Sequence, residues 1–170
     1  MNDTVDGLAP DEQAAFSEWQ QKVAGANISQ STLLATDYLN HFNEIVMLLE
    51  LVADMPDMLE ECKAWAPKSY QDHFRDSTFR DKDLAVEAYN HVPVRFRRPF
   101  EDTVEQMNGL VFQALERLED AVSLDDPEMV RIRAHAASRG IQRLIDVASS
   151  IIHGSDKAMD QAQIDEILSL

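Results

Sequence analysis

The chain has 170 residues, 45% of them hydrophobic, with 31 acidic against 15 basic side chains and a formal net charge of −16. That length suits one domain, which on folding buries roughly 70% of its unfolded surface and needs neither disulfides nor a structural metal. The negative charge sets nucleic acid and anionic membranes aside as main partners, because both would repel the chain. Cys62 stands alone, which excludes an internal disulfide, a CxxC redox pair and a cysteine-rich zinc site. The longest apolar run, Ile45 to Leu49, is far short of the roughly 20 residues of a membrane helix. The segment Met1-Asn2-Asp3-Thr4 lacks the basic-then-apolar pattern of a signal peptide. A soluble, reduced, cytoplasmic protein is expected.

Glycine and β-branched residues are sparse while Ala, Leu, Glu, Gln and Met are plentiful, which is all-α composition. The first helix opens at Pro10, carries Ala14, Phe16, Trp19 and Val23, and stops near Gly25. A second, capped by Ser29 or Ser31, runs to about Asp54. Its apolar positions Leu34, Tyr38, Leu39, Phe42, Ile45, Val46, Leu49 and Val52 cover a wide arc, so it is expected to be the most buried helix. Met55-Pro56-Asp57 breaks it, and a short helical piece to Trp65 follows. Residues 66–98 are irregular, punctuated by Pro67, Pro93 and Pro99, with one helix from about Lys82 to His91. A stretch this long is expected to pack as a cap or crossover.

The third long helix carries Phe100, Val104, Met107, Val111, Ala114, Leu118 and Ala121 at strict 4-3-4-3-4-3 spacing. That is an a/d seam for bundle packing, and it also suits a homodimer. Ser123 to Pro127 is a tight connection, with Asp126 as N-cap and Pro127 at the first helical position, so the next helix is an antiparallel neighbour. It runs to about His153, with Ile132, Ala136, Leu144, Val147, Ala148 and Ile151 inward, and Gly154 ends it. The expected architecture is a three- or four-helix bundle over 1–153 with a short-helix insertion. A linker and a C-terminal amphipathic peptide over 154–170 complete it.

The last residues read Asp160-Gln161-Ala162-Gln163-Ile164-Asp165-Glu166-Ile167-Leu168-Ser169-Leu170. As a helix they place Ile164, Ile167 and Leu168 on one side, with the carboxylates mostly on the other. An isolated helix this short is marginal in water and wants a groove, its own or a partner's. The segment resembles the N-terminal peptide of the flagellar switch protein FliM, a Ser-Gln-x-Glu-Ile-Asp-x-Leu-Leu type motif that docks on the phosphorylated response regulator CheY. Gln161, Ala162, Ile164, Asp165 and Leu168 match it directly, and Ile167 is a conservative aliphatic; Asp160 stands where Ser is usual and Gln163 where an acid is usual. The tail of the chemotaxis phosphatase CheZ is similar in its acidic-aliphatic pattern. The resemblance implies a bacterial two-component or chemotaxis accessory protein that binds a response-regulator receiver domain through Gln161, Ala162, Ile164, Asp165, Ile167 and Leu168. The alternative is a non-enzymatic helical adaptor or structural module whose tail packs on its own bundle.

In the CheZ family an Asp-x-x-x-Gln pair on a helix enters the regulator's site, where the Gln orients the attacking water and the Asp pairs with a Lys. By that resemblance Asp102 and Gln106 are the candidate catalytic pair, although Glu105 stands where the family has Gly before the Gln. With Phe100 at zero, Asp102 and Gln106 lie at about 200° and 240° around the helix, so both are expected to point away from the core. No cofactor is implied, since the regulator would supply the metal. Glu105 and Asn108 form an acid-x-x-amide pattern like that of the CheC and CheX phosphatases, which are α/β proteins. Asp37, His41 and Glu44 share one helical stripe that could bind a metal, but the matching ligands on other helices are missing and a polar boundary stripe is the expected reading. His135 with Arg139 and Gly140 is similar to the phosphotransfer histidine region, each partner one residue late. Arg95, Arg97 and Arg98 form the one basic patch, expected to pair with the protein's own carboxylates.

Overall fold

The structure is a computed structural model, and it describes residues 8–155 and Ile164. Those residues are all-helical, as predicted. The helices are α1 (Pro10–Lys22), α2 (Asn40–Val52), α3 (Leu59–Ala64), α4 (Tyr70–Arg75), α5 (Lys82–Tyr89), α6 (Val94–Ser123) and α7 (Pro127–Ile152), with 3-10 turns at Thr36–Leu39 and Pro56–Met58. No helix among the described residues is long and apolar enough to cross a membrane. The described chain divides into two compact units, each assembled from separate stretches. One holds residues 8–39, 68–102 and 148–155; the other holds 40–67 and 103–147, with Ile164.

The first unit is built around aromatic rings. Tyr70 stacks on Tyr89 at 4.6 Å and meets Phe100 edge-on at 5.8 Å, while Tyr38 lies 5.3 Å from Tyr70. Buried phenols need hydrogen-bond partners. Tyr38 Oη donates to the Lys68 carbonyl at 2.6 Å, and Tyr70 Oη accepts the Ala35 N–H at 2.8 Å. Pro10 opens α1 as predicted, and Gly25, at φ 81°, lies just past its end.

Two local predictions in this unit are corrected. Residues 29–35 are not the start of a helix; α2 begins only at Asn40. Thr32, Leu33, Leu34 and Ala35 are buried in succession, which no single helix face allows. Leu33 takes φ 70° and its N–H bonds to the Ser29 carbonyl at 2.7 Å, while Thr32 Oγ1 donates to the Ile152 carbonyl at 2.6 Å. A loop tied to the last turn of α7 replaces the expected first turns. The second correction is α4. It lies in the stretch read as irregular and is capped by Ser69, whose Oγ accepts the Asp72 N–H at 3.2 Å.

The second unit contains α2, α3, most of α6 and most of α7. The predicted inward residues Phe42, Ile45, Val46, Leu49 and Val52 of α2 are buried. Side chains tie the helices together. Lys63 of α3 pairs with Glu119 of α6 at 2.9 Å, Arg133 of α7 donates to the Arg117 carbonyl of α6 at 2.7 Å, and Ser138 of α7 donates to Glu50 of α2 at 3.1 Å. The seam of α6 is buried except at Val104, which is half-buried; Thr103 and Leu110 join it. The seam is therefore occupied by the chain's own packing. The helix also starts earlier than predicted, at Val94, and carries Pro99 inside it. On α7 the buried face is Val130, Ala134, Ala137, Ile141, Leu144, Ala148 and Ile151, whereas Ile132 is exposed. Ile132 and Leu144 are twelve residues apart, about 120° around a helix, and cannot share one narrow face.

The turn between α6 and α7 follows the sequence closely. Asp126 Oδ1 accepts the Met129 N–H at 3.1 Å and Pro127 opens α7.

Candidate functional site

The tail is represented by Ile164, which is helical and 6% exposed. Gln161, Ala162, Asp165, Ile167 and Leu168 lie outside the described residues. Its burial means that this anchor is covered by the chain itself.

Asp102 and Gln106 sit one turn apart on α6, Asp102 in the first unit and Gln106 in the second. Asp102 is exposed, as predicted. Gln106 is half-buried and its Oε1 is shielded from solvent. The reason lies in the seam. Thr103 and Leu110 widen the buried arc of α6 to about 80° on the side of Gln106, which brings that residue to the arc's edge and leaves Asp102 beyond it. An amide that orients water in another protein has to present its oxygen outward, and Gln106 does not do so in this conformation. Nearby, Glu105 is exposed, while Asn108 is half-buried with an Oδ1 that lacks a hydrogen-bond partner.

The metal-like stripe is engaged in other contacts. Asp37 Oδ2 lies 3.0 Å from His73 Nε2 in the first unit. His41, in the second, has its Nε2 at 2.6 Å from the Ala66 carbonyl and its ring stacked on Trp65 at 4.7 Å. Glu44 is exposed. No group of three His, Cys, Asp or Glu among the described residues is placed to hold a metal ion. His135 and Arg139 are exposed on the outer face of α7. Of the basic patch, Arg95 lies over the Phe96 ring at 5.4 Å. Arg97 lines a cleft of about 230 Å³ with Glu12, Phe16, Asn90, His91 and Pro93.

The sequence reading missed two features. One is that cleft, whose walls come from α1 and from the 90–97 stretch, too far apart in sequence for spacing to reveal. The other is an exposed apolar row on α2, Met47, Leu51 and Met55. It was legible as apolar residues left over once the inward arc of that helix had been assigned. Burial also changes the chemistry of isolated groups: it pushes the Cys62 thiol up to about 11 and the Tyr38 phenol to about 12, so Cys62 is a poor nucleophile near neutrality. No family model matches the chain, and neither a curated protein nor a solved structure matches it.

Proposed function

We propose that the protein is a cytoplasmic accessory protein of two-component or chemotaxis signalling that captures a response-regulator receiver domain through residues 160–170. The observation that carries this reading is the pattern Gln161, Ala162, Ile164, Asp165, Ile167, Leu168 and its resemblance to regulator-docking peptides. The physical logic is that aliphatic anchors at i, i+3 and i+4 fill a groove while carboxylates address basic residues around it. Because Ile164 is buried, capture competes with the chain's own packing, and the affinity of the whole protein is lower than that of an unconstrained peptide.

Hydrolysis of the regulator's aspartyl phosphate is the second part of the reading, with Gln106 orienting one water and Asp102 pairing with a Lys of the regulator. The buried Oε1 of Gln106 favours capture without hydrolysis, the adaptor form of the proposal.

The test is binding of a panel of receiver domains, with and without a phosphoryl mimic, to the whole protein and to a form ending at Gly154. Binding that strengthens with the mimic and falls at least about tenfold on truncation, some 1.4 kcal/mol, is the expected result. Equal binding by the two forms, or none by either, overturns the proposal. Dephosphorylation by the whole protein that is lost in Gln106→Ala would establish catalysis; an unchanged phosphoryl lifetime leaves an adaptor.

A further inference from the structure

We propose that the outer face of α2 is a docking surface for an amphipathic helix of a partner, one that presents aliphatic anchors flanked by Lys or Arg. The face consists of Met47, Leu51 and Met55, which are 57%, 38% and 48% exposed. Single exposed apolar residues are ordinary, whereas a row of them on one face is not. Met47 and Leu51 lie one turn apart on α2, about 40° from each other at about 100° per residue. Met55 follows in the turn after Val52, where its N–H bonds to the Leu51 carbonyl at 2.9 Å and its own backbone, at φ −132° and ψ 82°, leaves the helix; at helical rise the row is about 12 Å long, two turns of a facing helix. The fold does not use these side chains, since the opposite face of α2 supplies Phe42, Ile45, Val46, Leu49 and Val52 to the core. Methionine at both ends makes the surface adaptable to different anchors.

The rim of this row identifies the occupant. Glu44 lies at its start, Glu50 and Asp54 run along one flank, and Asp57 follows its end, all of them exposed. Glu50 is bonded only by the neutral donors Ser138 and Gln142 among the described residues, and Asp54 has Arg131 at 3.6 Å. An apolar row with an acidic rim complements a helix with a basic flank. The same charge argues against two other occupants. Pairing with α2 of a second copy would set like rims together, and the chain's own residues 160–170 carry Asp160, Asp165 and Glu166. This surface is independent of the capture proposed for the tail.

The experiment uses the whole protein labelled with carbon-13 in its methionine methyl groups. It is titrated with an amphipathic Leu/Lys peptide of about 18 residues, five helical turns, and with the matching Leu/Glu peptide. The expected result is saturable shifts of the Met47 and Met55 methyls with the Leu/Lys peptide, about tenfold weaker at ~0.5 M salt, where the screening length is below ~5 Å. The Leu/Glu peptide leaves those methyls unmoved. Leu51→Gln, an exposed change that leaves the core intact, weakens binding at least tenfold, and Met47→Lys does so through charge. Equal response to the two peptides, unchanged binding by Leu51→Gln, or self-association that covers these methyls without peptide overturns the proposal.

Discussion

Asp125 and Gly154 occupy the same position in two helix endings. After α6 the Asp125 N–H bonds to Val122 O at 3.0 Å and the Asp126 N–H to Ala121 O at 3.4 Å; after α7 the Gly154 N–H bonds to Ile151 O and the Ser155 N–H to Ser150 O, both at 3.0 Å. Each is the paired closure that needs one residue at positive φ. Gly154 takes 119° and Asp125 takes 52°. Glycine adopts such angles without a Cβ penalty. Asp125→Gly is therefore expected to raise unfolding free energy by about 0.5–1 kcal/mol, and Gly154→Ala to lower it by about 1 kcal/mol, both read from urea unfolding. A Cβ at Gly154 would meet only Ser31 Cβ, at 3.9 Å, so that loss is conformational rather than steric. The buried phenols set an alkaline limit. Burial raises Tyr38 from 10.0 to about 12 and pushes Tyr70 and Tyr89 up as well, the latter helped by Glu101. Above pH 10 the unfolded tyrosines ionise while the folded ones hold their protons, so stability is intact below pH 10 and falls as pH rises toward 12. Tyr38→Phe is expected to lower that slope by up to one proton, about 1.4 kcal/mol per pH unit, in unfolding measured across that range.

At the scale of elements, the sequence was most legible where one signal dominated. Pro10, the Asp126-Pro127 pair and Gly154 mark α1 and α7 because capping and positive φ are local demands. The seam of α6 was legible as a pattern, but its width was not, since Thr103 and Leu110 are buried beyond the seam and burial is decided by tertiary neighbours. The wider arc leaves Gln106 half-buried at its edge and Asp102 exposed beyond it. The short helices were hardest. Ser69 with Asp72 is a readable cap for α4, but its six residues carry too little periodicity to announce a helix. Ser69→Ala is expected to cost about 1 kcal/mol by the same urea assay, with circular dichroism showing the long helices unchanged. The loop at 29–35 defeated periodicity altogether, because its consecutive buried residues satisfy a tertiary site around Ile152 and not a helix face.

For the whole molecule, charge is the dominant long-range term. A net charge of −16 opposes compaction by self-repulsion, and several of the ion pairs, such as Lys22 with Glu18 and Arg75 with Asp72, lie at the surface, where each contributes only about 0–1 kcal/mol. Raising salt from ~0.01 to ~0.5 M shortens the screening length from ~30 to under ~5 Å and is expected to raise the urea midpoint. A fall would mean that the ion pairs outweigh the repulsion. The sequence by itself determined the helical class, the start of α1, the turn from α6 to α7, the acidic field and the amphipathic spacing of residues 160–170, because these follow from composition, period and local backbone preference. Only the tertiary structure decided that Ile164 is covered, that the Gln106 Oε1 is shielded from solvent, that Asp37 meets His73, and that Met47, Leu51 and Met55 are left outside. Burial and pairing depend on which surfaces meet, and residues distant in the chain carry no local signal of that meeting.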